Sequence, residues 1–429
     1  MTYTEALKKI SSLERFGSKP GLERIQKLLQ MMWNPQDSLK YVHVAGTNGK
    51  GSTCALIASV LEKARYKTGL FISPYVTDFC ERMQINGEKI SHEELAEMVG
   101  KVFPLVERMN QNGEIITEFE LVTALAFAWF AQKGCDIVVL EVGLGGRLDS
   151  TNVIQTPLVS VITSISSDHT KVLGNTLAQI AYEKSGIIKD GGVTVCYPEQ
   201  KPEVLEILQK TADKRNNRFV LADMKSVVPL SMNLNGTGLL YGELLVHLPF
   251  LGEHQIKNAV TALAALEVLK EKGYHISGHS FESGFASASF PARMEVLSMN
   301  PTVILDGAHN PDGMAALAAT VRKYLPDKKI TAIVGMLSDK DVKASVENLA
   351  GLFSNVITLV PKNPRAMSAE DLAEHFRLVG TPAESMENSR EALKKALSVV
   401  GKEGTLFVCG SLYLAGELRP LALDLLSRK

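Results

Sequence analysis

Apolar residues along this chain recur with two alternating periods. The segment YVHVA (41–45) alternates and is β-branched, which predicts a strand, and residues 52–65 continue with helical spacing. LFIS (70–73) predicts a second short strand, and residues 91–109 and 117–133 predict helices. DIVVLEV (136–142), VSVITSI (159–165) and VTVCY (193–197) are continuous apolar runs, as expected of strands covered on both faces, with a helix over 176–188. Between 219 and 251 the pattern shifts to short antiparallel strands around an Asn-Gly turn, followed by a helix over 254–273. A second alternating set has strands at 302–308, 329–336, 355–360 and 405–411 and helices near 313–324, 341–353, 368–377 and 389–400.

Strand–helix alternation of this kind predicts a mostly parallel, doubly covered sheet. The expected fold class is α/β with two domains. Residues 1–296 would form a P-loop ATPase-like domain, mostly parallel sheet plus a small antiparallel one, and 297–429 a Rossmann-like domain. SFPARMEVLSMNP (289–301) reads as the hinge. A chain of 429 residues exceeds one ordinary core, which agrees with this division.

A formal net charge of -1 gives no reason to expect nucleic acid or an acidic membrane as partner. LVTALAFAWFA (121–131) is too short to span a bilayer and reads as a buried helix. The N-terminal stretch has no apolar run for a signal peptide. Five scattered cysteines without metal or redox spacing point to a reduced, cytoplasmic protein, and nothing demands a partner chain, so a monomer is expected.

Polar residues gather just after strand ends, where open parallel sheets bind ligands. AGTNGKGST (45–53) departs from the strict GxxxxGK[ST] spacing, yet it lies between a strand and a helix. Gly46, Gly49 and Gly51 would let the backbone turn its amides inward, Lys50 would offer a point charge, and Ser52 or Thr53 a hydroxyl. The plainer alternative is a turn with an exposed lysine. Glu141 closes an apolar strand, as a Mg²⁺ carboxylate or as a salt-bridged strand-end acid. Asp168 and His169 follow the strand at 159–165; histidine is not a favoured Mg²⁺ ligand, so by itself His169 reads as a helix-start residue. Lys184 has the spacing of an ordinary helix lysine. In the second half TVILDGA runs into HNPDG, a polar ligand site or an Asx turn, and GSLY (410–413) has the same topological position.

Taken together, GTNGKGS (46–52), SPY…ER (73–82), TEFE (117–120), LEVGLGGRLDSTN (140–152), SDH (167–169), EKSGIIK (183–189), GEHQIKNA (252–259), FPARME (290–295), LDGAHNP (305–311) and GSLYL (410–414) resemble the folylpolyglutamate synthases, bacterial folate ligases related to the Mur ligases. The shortened glycine loop is that family's version of the phosphate cradle.

The resemblance implies a ligase using ATP as co-substrate and two Mg²⁺. A folate carboxylate attacks the γ-phosphate, and the amino group of L-glutamate attacks the resulting acyl phosphate. It assigns Gly49, Lys50, Gly51, Ser52, Asn258, Arg293 and Asp306 to ATP. It assigns Ser73, Glu141, His169 and a CO₂-carbamylated Lys184 to Mg²⁺. Glu118, Phe119, Leu148, Asp149 and Ser150 fall to folate, and His309 and Ser411 to glutamate. Lys50, Lys184, His309 and Arg293 are its catalytic set, and a closing cleft is its expected protection of the acyl phosphate.

The physics agrees with such an assignment. Two like unit charges about 4 Å apart repel by roughly 1 kcal/mol in water and about 4 kcal/mol at an effective dielectric near 20. A carboxylate approaching a triphosphate therefore needs fixed cations. Thr77, Asp78 and Cys80 depart from the family pattern in the 74–82 loop. Dihydrofolate synthase activity, alone or in addition, and a nucleotide-gated binding protein that ligates nothing are the rival readings.

Overall fold

The computed structural model describes residues 1–13, 20–326 and 329–427. They divide into two compact units. The first comprises Met1–Pro74, Cys80–Val227 and Lys257–Ala288, and the second Tyr75–Phe79, Val228–Ile256 and Ser289–Lys429.

The first unit holds strands β1 (Tyr41–Ala45), β2 (Thr68–Phe71), β3 (Met83–Ile85), β4 (Glu88–Lys89), β5 (Ile137–Glu141), β6 (Val159–Ile162), β7 (Val193–Cys196) and β8 (Arg218–Leu221). They form one sheet in the order β4-β3-β2-β5-β1-β6-β7-β8. From β2 to β8 the pairing is parallel, and only the β2–β3 and β3–β4 pairs are antiparallel. β1, β5 and β6 are buried throughout, which explains their unbroken apolar sequences.

One segment differs from its predicted place. FVLADM begins within β8, a parallel neighbour of β7, and not in the antiparallel group. The helix Pro202–Lys214 supplies the crossover that a parallel pair requires, with Val204, Leu208 and Ala212 buried on one face. The antiparallel group proper is β9 (Val227–Asn233), β10 (Gly236–Tyr241) and β11 (Leu244–Leu248), in the order β11-β10-β9.

The second unit adds β12 (Glu295–Met299), β13 (Thr302–Leu305), β14 (Ile330–Val334), β15 (Asn355–Thr358), β16 (Ala383–Ser385) and β17 (Thr405–Cys409). Their order is β12-β13-β17-β14-β15-β16, with β12 the antiparallel edge. One core lies on each face. Phe353, Phe376 and Phe407 anchor one, and Leu393, Leu406 and Leu418 the other. Among the described residues no helix is long and apolar enough to cross a membrane.

The helix Lys50–Lys63 is buried along most of its length, so its placement fixes the loop before it. Helix Gly278–Ser287 packs on it through Gly284. A Cβ there would lie 2.5 Å from Val60 Cα, and Ser59 Oγ donates to the Gly284 carbonyl at 2.7 Å. Glycine is therefore required by close approach. Gly284→Ala should lower unfolding stability by about 1–3 kcal/mol, the range for overpacking a tight core. The check is the urea midpoint at unchanged m-value; an unshifted midpoint would show that the two helices separate freely.

Candidate active site

Parallel strands carry their following loops to one end of the sheet. The consecutive neighbours β2, β5, β1 and β6 therefore bring four sequence-predicted segments into a row. Ser73 lies just past β2, Glu141 ends β5, the Gly46–Ser52 loop follows β1, and Asp168 and His169 follow β6.

The loop is pinned from the β6 side. Thr47 N donates to the Ser164 carbonyl at 2.7 Å, Ser164 Oγ donates to the Asn48 carbonyl at 3.2 Å, and Thr47 Oγ1 donates to the Ser166 carbonyl at 3.1 Å. Gly46 has φ +156 and leaves no room for a side chain, since a Cβ would meet Thr163 Oγ1 at 1.8 Å. Gly49 caps the following helix with φ +87, and its missing Cβ is where Asn258 Oδ1 approaches, at 2.3 Å from that position. Asn258 is thus brought against the loop. The helix start behind Gly49 has amides without intrahelical partners and the positive end of the helix dipole, a ready anion site. Gly51, Ser52 and Thr53 are buried in its first turn.

Two lysines meet at a single carbonyl. Lys50 Nζ folds back to donate to Gly46 O at 3.2 Å and Thr47 O at 3.1 Å. Lys184 Nζ donates to the same Gly46 O at 2.7 Å. Spacing alone makes Lys184 an ordinary helix lysine; the structure buries it to 4% exposure. Burial, and then the charge of Lys50, bring its ammonium down to about 7, partly opposed by Asp168 and Asp149. At neutral pH a large fraction of Lys184 is therefore the uncharged amine. The signal was present in the sequence: Lys184 follows the buried Ile180 and Ala181 at i+4 and i+3, on the apolar stripe of its helix.

Glu141 is 3% exposed, and one oxygen accepts the Ser73 amide at 2.9 Å. Glu141 and Lys50 belong to one neighbourhood, since the buried Cys54 thiol is raised by burial and by Glu141 and lowered by Lys50. His169 adopts φ +50 at the start of helix Thr170–Leu173, with its amide bonded to Asp168 Oδ1 at 2.8 Å. Its side chain is 45% exposed, with Nε2 3.9 Å from Asp168 Oδ2. Among the described residues no trio of His, Cys, Asp and Glu ligand atoms converges on Glu141 or His169. A buried carboxylate with a hydroxyl residue beside it suits Mg²⁺. That ion is held by one or two carboxylates plus phosphate oxygens and water, not by a full protein cage.

The folate candidates form a second cluster around the turn after β5. Phe119 lies against Gly143, whose Cβ would be 2.4 Å from the ring, and its ring centroid is 6.0 Å from that of Phe71. Glu118 pairs with Arg82 at 3.4 Å. Leu148 is half-buried and Ser150 buried. Asp149 is buried and accepts from Leu144 N at 2.8 Å, Thr151 N at 3.0 Å and Thr151 Oγ1 at 2.6 Å. Burial pushes its carboxyl up while these bonds hold it down. His43 reaches Thr151 Oγ1 at 2.9 Å from β1 and is kept neutral by burial, its pKa lowered to about 3. His43 thereby supports this turn.

In the second unit β13 and β17 are adjacent, so the loops after them lie together. Gly307 permits this, because a Cβ there would meet Leu412 at 2.2 Å. Asp306 accepts Met294 N at 2.8 Å and Ala308 N at 2.7 Å. Its carboxyl is pushed up by burial and held down by Arg293 and these amides. The guanidinium of Arg293 also lies over Phe290, 5.4 Å from its centroid. His309 Nδ1 is 2.9 Å from the Gly307 carbonyl, so that nitrogen carries the proton. Ser411 Oγ accepts Leu414 N at 3.1 Å and caps the last helix, while Asn310 caps helix Pro311–Tyr324.

Comparison with known proteins agrees with this layout. The Mur ligase middle domain matches residues 44–266, and the Mur ligase glutamate ligase domain matches 292–412. A dihydrofolate synthase/folylpolyglutamate synthase of Bacillus subtilis is 36% identical over 97% of this chain and 98% of its own length. A folylpolyglutamate synthase of Lacticaseibacillus casei is 36% identical over 98% of both chains. The Mycobacterium tuberculosis folylpolyglutamate synthase, solved with ADP and AMPPCP, superposes with a TM-score of 0.88 at 33% identity, covering 97% of this chain and 98% of that one. Both domain models and these full-length relatives agree on one assignment: the chain belongs to the Mur ligase family, among its folylpolyglutamate and dihydrofolate synthases.

Proposed function

We propose that this chain joins L-glutamate to the terminal γ-carboxylate of a reduced folate, with ATP as co-substrate, through an acyl phosphate. The observation that carries the reading is the meeting of Lys50 and Lys184 at Gly46 O, at the mouth of a helix N-terminus and next to the strand that ends in Glu141.

Gly49, Lys50, Gly51 and Ser52 hold the ATP phosphates, and Asn258, Arg293 and Asp306 complete the nucleotide contacts. Ser73, Glu141 and His169 are the residues for Mg²⁺, which when bound neutralises phosphate charge. Lys184 takes up CO₂ as its neutral amine: an N–C bond forms, one proton is released, and the neutral amine becomes a carbamate anion whose oxygens would suit a second Mg²⁺. Glu118, Phe119, Leu148, Asp149 and Ser150 receive the folate. His309 and Ser411 position glutamate. With Asp306 occupied by two backbone amides, His309 is the better candidate to accept the ammonium proton of glutamate. The functional halves are residues 1–296 for nucleotide and folate and 297–429 for glutamate ligation. We place the enzyme in the cytoplasm as a monomer, a setting in keeping with five buried cysteines that form no disulfide.

Dihydrofolate synthase activity in the same site is the second reading, favoured by the double name of the Bacillus subtilis relative. Incubation with ATP, glutamate and either dihydropteroate or tetrahydrofolate monoglutamate, with products weighed by mass spectrometry, decides between them. Added glutamate on tetrahydrofolate is the expected result, and ATP hydrolysis independent of folate and glutamate would overturn ligation altogether.

Lys50→Ala should abolish ligation and ATP turnover while circular dichroism stays unchanged; retained turnover would remove Lys50 from the phosphate site. For Lys184, ¹³CO₂ should give a carbamate resonance that grows as pH rises through about 7, because only the unprotonated amine reacts. A signal that is still present in Lys184→Ala would belong to another amine. His309→Ala should lower kcat by about a hundredfold or more with the KM for ATP little changed, and an unaltered kcat at saturating glutamate would refute its role.

A further inference from the structure

Arg293 sits in an unusual stretch of backbone. Both of its neighbours are left-handed, Ala292 at φ +55 and Met294 at φ +50, and neither is glycine. Left-handed conformations in residues with a side chain are strained and persist only where their surroundings hold them. Here each neighbour's amide is held by a carboxylate. Met294 N donates to Asp306 Oδ2 at 2.8 Å, and Ala292 N donates to Glu295 Oε2 at 3.0 Å. The Ala292 carbonyl in turn accepts Gly307 N at 2.8 Å.

Glu295 is itself gripped. Arg419 Nε lies 3.0 Å from both of its oxygens, and Nη2 lies 2.7 Å from Oε1. The pair is only 20% and 27% exposed, so this fork is far less screened than the chain's surface ion pairs. Arg419 projects from helix Leu412–Ser427, the helix that Ser411 caps, and Glu295 is the first residue of β12. Ala292 is fully buried, leaving the turn little room to relax.

We propose that Glu295 and Arg419 are positioning residues for Arg293. The Arg419 fork fixes the Glu295 carboxylate, the carboxylate fixes the Ala292 amide, and the locked left-handed turn aims the Arg293 side chain. The proposal rests on the nucleotide role given to Arg293 above. Glu295 and Arg419 touch no substrate in this scheme; they set the direction in which a residue that does so leaves the backbone.

The test is a double-mutant cycle of Glu295→Ala with Arg293→Ala, reading KM for ATP, KM for glutamate, kcat and melting temperature. Releasing one strained residue should raise the KM for ATP about tenfold in Glu295→Ala, with the KM for glutamate unaltered. In the Arg293→Ala background the same change should have no further effect on the KM for ATP, because there is no side chain left to aim. A lowered melting temperature with an unchanged KM for ATP, or an effect of equal size in both backgrounds, would make the ion pair merely structural and overturn the proposal. Should Glu295→Ala not fold, Arg419→Lys retains the charge but not the fork, and is read by the same cycle. Arg293→Ala with an unchanged KM for ATP would refute the nucleotide role of Arg293 itself. An impaired Arg293→Ala alongside silent Glu295 and Arg419 variants would refute only the positioning role.

Discussion

The Gly46 carbonyl receives two lysines, and the chemistry of the first unit depends on that shared acceptor. Two ammonium groups at one oxygen repel, and one of them is buried. The repulsion and the burial act in the same direction on Lys184, favouring its neutral form. One glycine carbonyl thus joins Lys50, at the start of the helix after the loop, to Lys184 from helix Leu177–Ser185. The glycines make this possible, since a side chain at position 46 or 49 would collide with Thr163 or Asn258.

Carboxylates organise the loops in both units by accepting backbone amides. Glu141 accepts Ser73, Asp149 accepts Leu144 and Thr151, Asp306 accepts Met294 and Ala308, and Glu295 accepts Ala292. Loops at strand ends expose donors that no ladder satisfies, and a buried carboxylate without partners would be equally costly. Each group resolves the other's deficit. The consequence for function is that candidate ligands such as Glu141 and Arg293 begin from fixed positions, so less ordering remains to be done when substrates arrive.

Much of this was legible along the chain. Continuous apolar runs marked the buried parallel strands, and glycine and asparagine marked the turns that follow them. The parallel reading of 136–142 and 159–165 then placed Glu141 and Asp168 at one end of a sheet. Lys184 shows where such reading needs care. Its position on the apolar stripe with Ile180 and Ala181 was visible, but helical spacing does not say what lies opposite that stripe. The β8 segment shows the other weakness, because a short half-exposed strand carries the same pattern whether its partner is parallel or antiparallel.

What the sequence determined by itself was local: strand and helix periods, left-handed glycines, helix caps such as Thr117 and Asn310, and the motifs that carry the family resemblance. These follow from interactions within a few residues, which pattern records directly. The tertiary structure alone decided which distant groups meet. Lys184 and Gly46 are 138 positions apart, and Arg419 and Glu295 are 124 apart. Such pairings are set by strand order and helix packing, which sum many weak contacts over the whole core, and no short window of residues contains that sum.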